Sequence, residues 1–255
     1  MIRRLGMAII AIVWGVVGAA PASAQTVDFL TRAAYRVSAE HLSSDDERFN
    51  WDARFGGDID LVDYGSGRFN FLADYQVVLG EQLRSFDPNQ GNYLLAGSLS
   101  HRFGSVEAAG VFHHESRHLS DREKEQAVDW NMVGGRVLTV VRLRRGHIDT
   151  QGDVRWTIKK SYVDYNSEFA GEARAVVPID QRFSAIADGS LRFLGVDGTR
   201  DRGTQTGFRV EGGLRIDGRG AAVELFVAGE RRVDPYPLEF GTAQWLTVGF
   251  RLLGR

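Results

Sequence analysis

Hydrophobic and polar positions alternate with period two along nearly all of the chain. In "GFRVEGGLRID", residues 207–217, Phe208, Val210, Gly212, Leu214 and Ile216 fall on one face, and Arg209, Glu211, Gly213, Arg215 and Asp217 on the other. In "WDARFGGDIDL", residues 51–61, Trp51, Ala53, Phe55, Gly57, Ile59 and Leu61 oppose Asp52, Arg54, Asp58 and Asp60. Such alternation marks a strand lying between an apolar and a polar environment; an amphipathic helix repeats every three to four positions instead. Twelve segments of this kind are predicted, at about 28–40, 48–61, 67–80, 91–103, 105–116, 129–142, 147–159, 167–178, 181–194, 205–217, 220–231 and 242–253.

Their connections alternate in length. Val62–Ser66, Phe103–Gly104, Leu143–Gly146, Ile179–Asp180 and Gly218–Arg219 are tight, whereas "SSDDER", "EQLRSFDPNQ" and "VDPYPLEF" are longer and more polar. "GDID" and "DYGSG" are too short for a calcium loop and read as turn sequence. Short turns at one end, long loops at the other and an even strand count predict an all-β fold, an antiparallel transmembrane β-barrel of about twelve strands. Both ends of the barrel chain then lie on the short-turn, periplasmic side. A soluble β-protein of the periplasm would alternate in the same way. Segments of about a dozen residues, however, exceed the five or six usual in soluble sheets and suit a tilted membrane crossing. Closure also removes the open edges that so regular a sheet would offer to other chains. One feature runs the other way: the chain ends "FRLLGR" rather than on a terminal aromatic, with Phe250 close by.

Composition narrows the class. "MIRRLGMAIIAIVWGVVGAAPASAQ" has Arg3 and Arg4, an apolar run and the small-residue site Ala22-Ser23-Ala24, which predicts a signal peptide over residues 1–24 and a barrel domain over 25–255. A membrane anchor is the weaker reading, because "APASA" closes an apolar run too short to span comfortably. Without Arg3 and Arg4 the chain carries 29 basic and 33 acidic side chains, a formal charge of −4, which gives no argument for a nucleic-acid partner. The absence of cysteine excludes disulfides, thiolate metal sites and a lipid anchor. The expected location is the outer membrane and the expected partner its lipids.

Candidate chemistry gathers in "VFHHESRHLSDREKEQAVDWN", residues 111–131, where three of the six histidines lie within six positions. Charges at Glu107, Glu115 and Arg117 mark the odd positions of the fifth segment as lumen-facing, which turns His114 and Ser116 outward with Ala108, Gly110 and Phe112. On the sixth, Val133, Gly135, Val137 and Val141 form an apolar face that continues to Asn131. Pairing His114 with Asn131 sets Phe112 opposite Val133 and Gly110 opposite Gly135, so the two outward faces agree. With about 6.6 Å between alternate residues and about 4.8 Å between strands, Ser116, His114 and Asn131 fall within side-chain reach near the outer rim. A serine beside a histidine that a third polar group orients is suited to nucleophilic acyl transfer. Polar groups facing lipid are costly unless the substrate is itself lipid.

These residues resemble outer-membrane phospholipase A, a twelve-stranded barrel with His-x-Ser at the outer end of a strand, then Ser-Asp in the loop and Trp-Asn at the start of the next strand. The present chain has His114-Glu115-Ser116, Ser120-Asp121 and Trp130-Asn131. The resemblance implies Ser116 as nucleophile, His114 as base, Asn131 as the group holding the imidazole, calcium near the loop and activation by homodimerisation. Arg117-His118 replaces the family's Asn-Gly, and the loop before Asn131 is about three residues longer, so the calcium ligands do not carry over residue by residue. His-x-Ser at a barrel rim is also similar to lipid A deacylases, and His-x-Ser-x-His to barrels with no established activity.

Several readings remain beside the catalytic one. His118, Ser120 and Asp121 are candidate metal ligands, or His118 and Asp121 assist His114; solvated loop positions are the plainer alternative. His113, Glu115 and Arg117 are expected in a lumen charge network, and Trp130, Trp156, Trp245, Tyr93 and Tyr162 in a headgroup belt of aromatics. The rival to a lipid hydrolase is a non-catalytic barrel, a narrow pore or a structural protein; dense lumen charge of both signs argues against a wide channel.

Overall fold

The computed structural model describes residues 26–123 and 126–254, so the expected signal peptide lies outside the described residues. Twelve strands follow one another: β1 (Asp28–Leu42), β2 (Trp51–Asp63), β3 (Arg68–Gly80), β4 (Asp87–Phe103), β5 (Val106–Leu119), β6 (Val128–Arg142), β7 (His147–Ser161), β8 (Tyr165–Pro178), β9 (Phe183–Val196), β10 (Gln205–Asp217), β11 (Ala221–Val233) and β12 (Thr242–Gly254). Each pairs antiparallel with its chain neighbours, and β1 closes on β12, Ala39 opposite Phe250, to complete a barrel. The predicted count and order hold, and the connections alternate in length at all but one place. One connection departs: β7 and β8 are joined by only residues 162–164, because pairing runs on to Ser161 and resumes at Tyr165.

The tight turns use glycine where the backbone requires it. Gly146, in the β6–β7 turn, has φ of +94°, and a Cβ there would lie 2.0 Å from the carbonyl oxygen of Val176. Gly104, between β4 and β5, has φ of +64°.

The outward face is apolar. Phe55, Phe112, Val133, Trp156, Phe169, Val227 and Val248 are exposed around the cylinder, in the positions that meet hydrocarbon. The inward face is charged and paired. Arg251 bridges Glu211 and Glu224 at 3.0 and 2.9 Å, Arg215 reaches Glu224 at 3.2 Å, and Arg174 also contacts Glu224. Arg232 holds Asp52 at 2.6 Å and Glu230 at 2.7 Å. Glu224 is wholly buried, so its charge depends on these guanidinium groups.

Toward the long-loop end the interior changes character. Val128, Trp130, Met132, Val163, Tyr165, Leu194 and Val233 pack into one apolar cluster, and Leu42, Phe49, Val78 and Trp245 into another. This corrects the belt reading for two residues. Trp130 and Trp245 occupy lumen-facing positions and are buried inside, since β6 and β12 turn Asn131 and Leu246 outward. Tyr162 also leaves the belt: it stacks on Phe240 within the loops, and its hydroxyl donates to the Leu238 carbonyl at 2.8 Å. Trp156 and Tyr93 do face outward.

Candidate active site

The β5–β6 hairpin positions the candidate residues. Its register sets His114 opposite Asn131, Phe112 opposite Val133 and Gly110 opposite Gly135, as the matching of the two outward faces predicts. Strand parity is legible in burial: His113, Val111 and Met132 are buried inside, whereas Phe112 and Val133 are exposed outside. Ser116 therefore lies on the outward face, close to the long loops, with Asp129 opposite it on β6 and Tyr93 opposite it on β4. His113, Glu115 and Arg117 join the lumen network. Arg117 meets Glu115 at 3.1 Å, Arg192 meets Glu115 at 3.4 Å, and Arg155 donates to His113 Nδ1 at 2.8 Å.

His114 Nδ1 lies 2.9 Å from Asn131 Oδ1. An amide oxygen can only accept, so this contact places the proton on Nδ1 and leaves Nε2 with its lone pair, the tautomer that a base requires. Ser116 is engaged elsewhere. Its Oγ lies 2.6 Å from His118 Nε2, within hydrogen-bonding distance, and no hydrogen bond joins it to His114. The expected trio is thus brought to one patch of wall as a His114–Asn131 pair beside a Ser116–His118 pair. His118 was legible in the sequence as the next residue of the same parity, two positions beyond Ser116.

Aromatic side chains lead to the serine from one side. Phe55, Tyr75, Tyr93 and His118 form a ladder on the outward face, with ring centroids 5.1, 4.5 and 5.5 Å apart in turn. On the other side the β6–β7 pairing slips by one residue between Asn131 and Met132, and Lys159 stands opposite Asn131. A one-residue bulge reverses which face the following residues present. Lys159 is exposed at the outward rim, while Lys160 turns in to Tyr165 and Asp197. Period-two alternation carries no trace of such a slip, so the sequence does not reveal Lys159.

Two of the candidate metal ligands, His118 and Asp121, are each engaged by another side chain. His118 is bonded to Ser116, exposed Asp121 is paired with Arg84 at 2.8 Å, and Arg122, beside them, donates to the Ser120 carbonyl at 3.1 Å. Among the described residues, no group of three or more histidine or carboxylate side chains gathers as metal ligands.

Comparison with known proteins places the fold. No family model matches the chain, and no curated protein matches it. Among solved structures, an outer membrane channel from Pseudomonas putida F1 aligns over 93% of this chain and 99% of its own, at 12% identity and a TM-score of 0.54. The chain has the fold of an outer-membrane β-barrel. LpxR from Salmonella typhimurium aligns more loosely, at 8% identity and a TM-score of 0.49 over 87% of this chain and 99% of its own. OmpT of Vibrio cholerae, in its trimer form, gives 8% and 0.45 over 90% and 98%. At such identities the likeness of this barrel to the channel is one of fold alone, and its chemistry rests on its own residues.

Proposed function

We propose that this barrel hydrolyses acyl esters of membrane lipids at its lipid-facing rim, with Ser116 as the nucleophile. The observation that carries the reading is the 2.6 Å contact between Ser116 Oγ and His118 Nε2 on the outward face of β5. Ser116 Oγ attacks the ester carbonyl as His118 Nε2 takes its proton, forming a tetrahedral intermediate. That intermediate collapses to an acyl-serine, and the imidazolium returns the proton to the departing alcohol. Water, deprotonated by the same imidazole, then attacks the acyl carbonyl, and the imidazolium returns the proton to Ser116 Oγ as the fatty acid leaves. We assign the base to His118 because it is the imidazole that touches the hydroxyl. His114, which the family resemblance makes the base, is instead held through Nδ1 by Asn131, its partner across the β5–β6 pair.

A fluorophosphonate probe applied to the folded barrel in lipid-detergent micelles tests the reading. Covalent labelling is expected on Ser116 and is lost in Ser116→Ala. A wild-type barrel that stays unlabelled and releases no fatty acid from phospholipid would be a non-catalytic wall protein.

A further inference from the structure

The short turns carry charge unevenly around the rim. On the β2–β5 side the arginines are paired: Arg102 meets Asp63 at 2.7 Å, and Arg68 meets Asp60 and Glu107 at 3.0 and 2.8 Å. In the β6–β7 and β8–β9 turns they are not, although Arg136 and Arg174 on the strands pair with Asp153 and Asp188, each at 2.8 Å. The β6–β7 turn is Leu143-Arg144-Arg145-Gly146, and neither arginine has an ion-pair partner among the described residues. The β8–β9 turn is Ile179-Asp180-Gln181-Arg182. There the Asp180 carboxylate accepts from the backbone N–H groups of Arg182 and Phe183 at 2.7 and 2.9 Å, which holds it below the ordinary carboxylate range. The two turns adjoin, since Gly146 packs on the backbone of Val176 and Val177 in β8. Three exposed guanidinium groups thus share one arc of the rim, with Asp180 in the turn of Arg182 and Asp217 beside it, its N–H donating to the Arg182 carbonyl at 2.8 Å.

Apolar residues fix the depth of this arc. Val141, Leu143, Val177, Ile179 and Phe183 are all exposed, and Ile179, inside a turn, is 63% exposed. The hydrocarbon-facing band therefore runs into the turns themselves, which sets Arg144, Arg145 and Arg182 at headgroup level, where phosphates lie. We propose that this arc is a binding site for anionic phospholipid headgroups in the leaflet at the short-turn end. Guanidinium groups pair with phosphate through charge-assisted hydrogen bonds. A zwitterionic lipid offers the same phosphate but cancels its charge, so the site discriminates by net headgroup charge.

Native mass spectrometry of the folded full-length barrel, titrated in detergent with dioleoylphosphatidylglycerol or dioleoylphosphatidylcholine, tests this. Wild type is expected to retain phosphatidylglycerol about a hundredfold more tightly, about fivefold per arginine, with the preference shrinking as salt rises. Each arginine changed to glutamine should weaken that preference about fivefold. The triple variant Arg144→Gln, Arg145→Gln, Arg182→Gln should bind the two lipids alike, and the matching triple of arginine to lysine should keep the preference. Arg84→Gln, at the long-loop end, should leave it unchanged. Should the triple glutamine variant not fold, judged by heat-modifiable migration, Arg144→Gln and Arg182→Gln singly carry the same expectation. Equal binding of both lipids by wild type overturns the proposal, as does a preference that survives loss of the arginines. Displacement of phosphatidylglycerol by an equal charge of soluble polyglutamate also overturns it and assigns the arc to an acidic protein.

Discussion

At the scale of single residues, the outward rim of β5 places three polar side chains, His114, Ser116 and His118, where a strand in lipid would ordinarily carry apolar ones. The polar groups are satisfied by one another: Ser116 by His118, and His114 by Asn131. That pairing makes the two imidazoles separable by experiment. A base in contact with the nucleophile is worth roughly 10²–10⁴ in rate. His118→Ala should therefore slow labelling at Ser116 by about that factor, while Asn131→Ala, which frees only His114, should slow it much less. The reverse order in stopped-flow labelling would return the base to His114.

At the scale of elements, β6 shows how one strand serves two environments. Asn131, Val133 and Val137 face outward, while Trp130 and Met132, on the opposite parity, are wholly buried in the apolar cluster beneath the loops. The Trp130 ring meets Tyr165 edge-on at 5.2 Å and lies under the Arg117 guanidinium. Trp130→Ala removes the largest side chain of that cluster and should destabilise the barrel by about 3–5 kcal/mol, read from the urea midpoint of refolded protein in vesicles. Trp156→Ala, which empties an exposed position, should cost far less by the same measurement.

At the scale of the whole molecule, the barrel separates a hydrocarbon-facing surface from a lumen filled by ion pairs and, toward the long loops, by packed apolar side chains. Val227, midway along β11 and exposed outward, reports the first. Val227→Arg should cost about 2–4 kcal/mol in a bilayer, as a cation at the membrane midplane does; a soluble β-protein would tolerate it nearly unchanged. Glu224 reports the second, because Arg174, Arg215 and Arg251 all converge on it. Glu224→Ala leaves buried cations without their counter-charge and should destabilise by about 3–5 kcal/mol, measured by the same unfolding. With the lumen so filled, planar-bilayer recording should show no conductance of the wide-pore kind; large, stable channels would show that the interior packing gives way in the membrane.

The sequence by itself determined the cylinder. Period-two alternation, twelve segments and turns of alternating length specify strands, order and closure because side-chain parity leaves one face for lipid and one for the interior. The same parity set the β5–β6 register and brought His114 to Asn131, since both faces of the hairpin had to agree. Only the tertiary structure decided what parity cannot carry. Which imidazole meets the Ser116 hydroxyl depends on side-chain rotation within one face. Lys159 reaches the rim through a bulge that shifts the register by one residue, and such a slip leaves the alternation on either side looking continuous. Trp130 and Trp245 lie inside because the long-loop end of the lumen is closed by contacts between strands far apart in the chain, and composition along any one strand does not encode them.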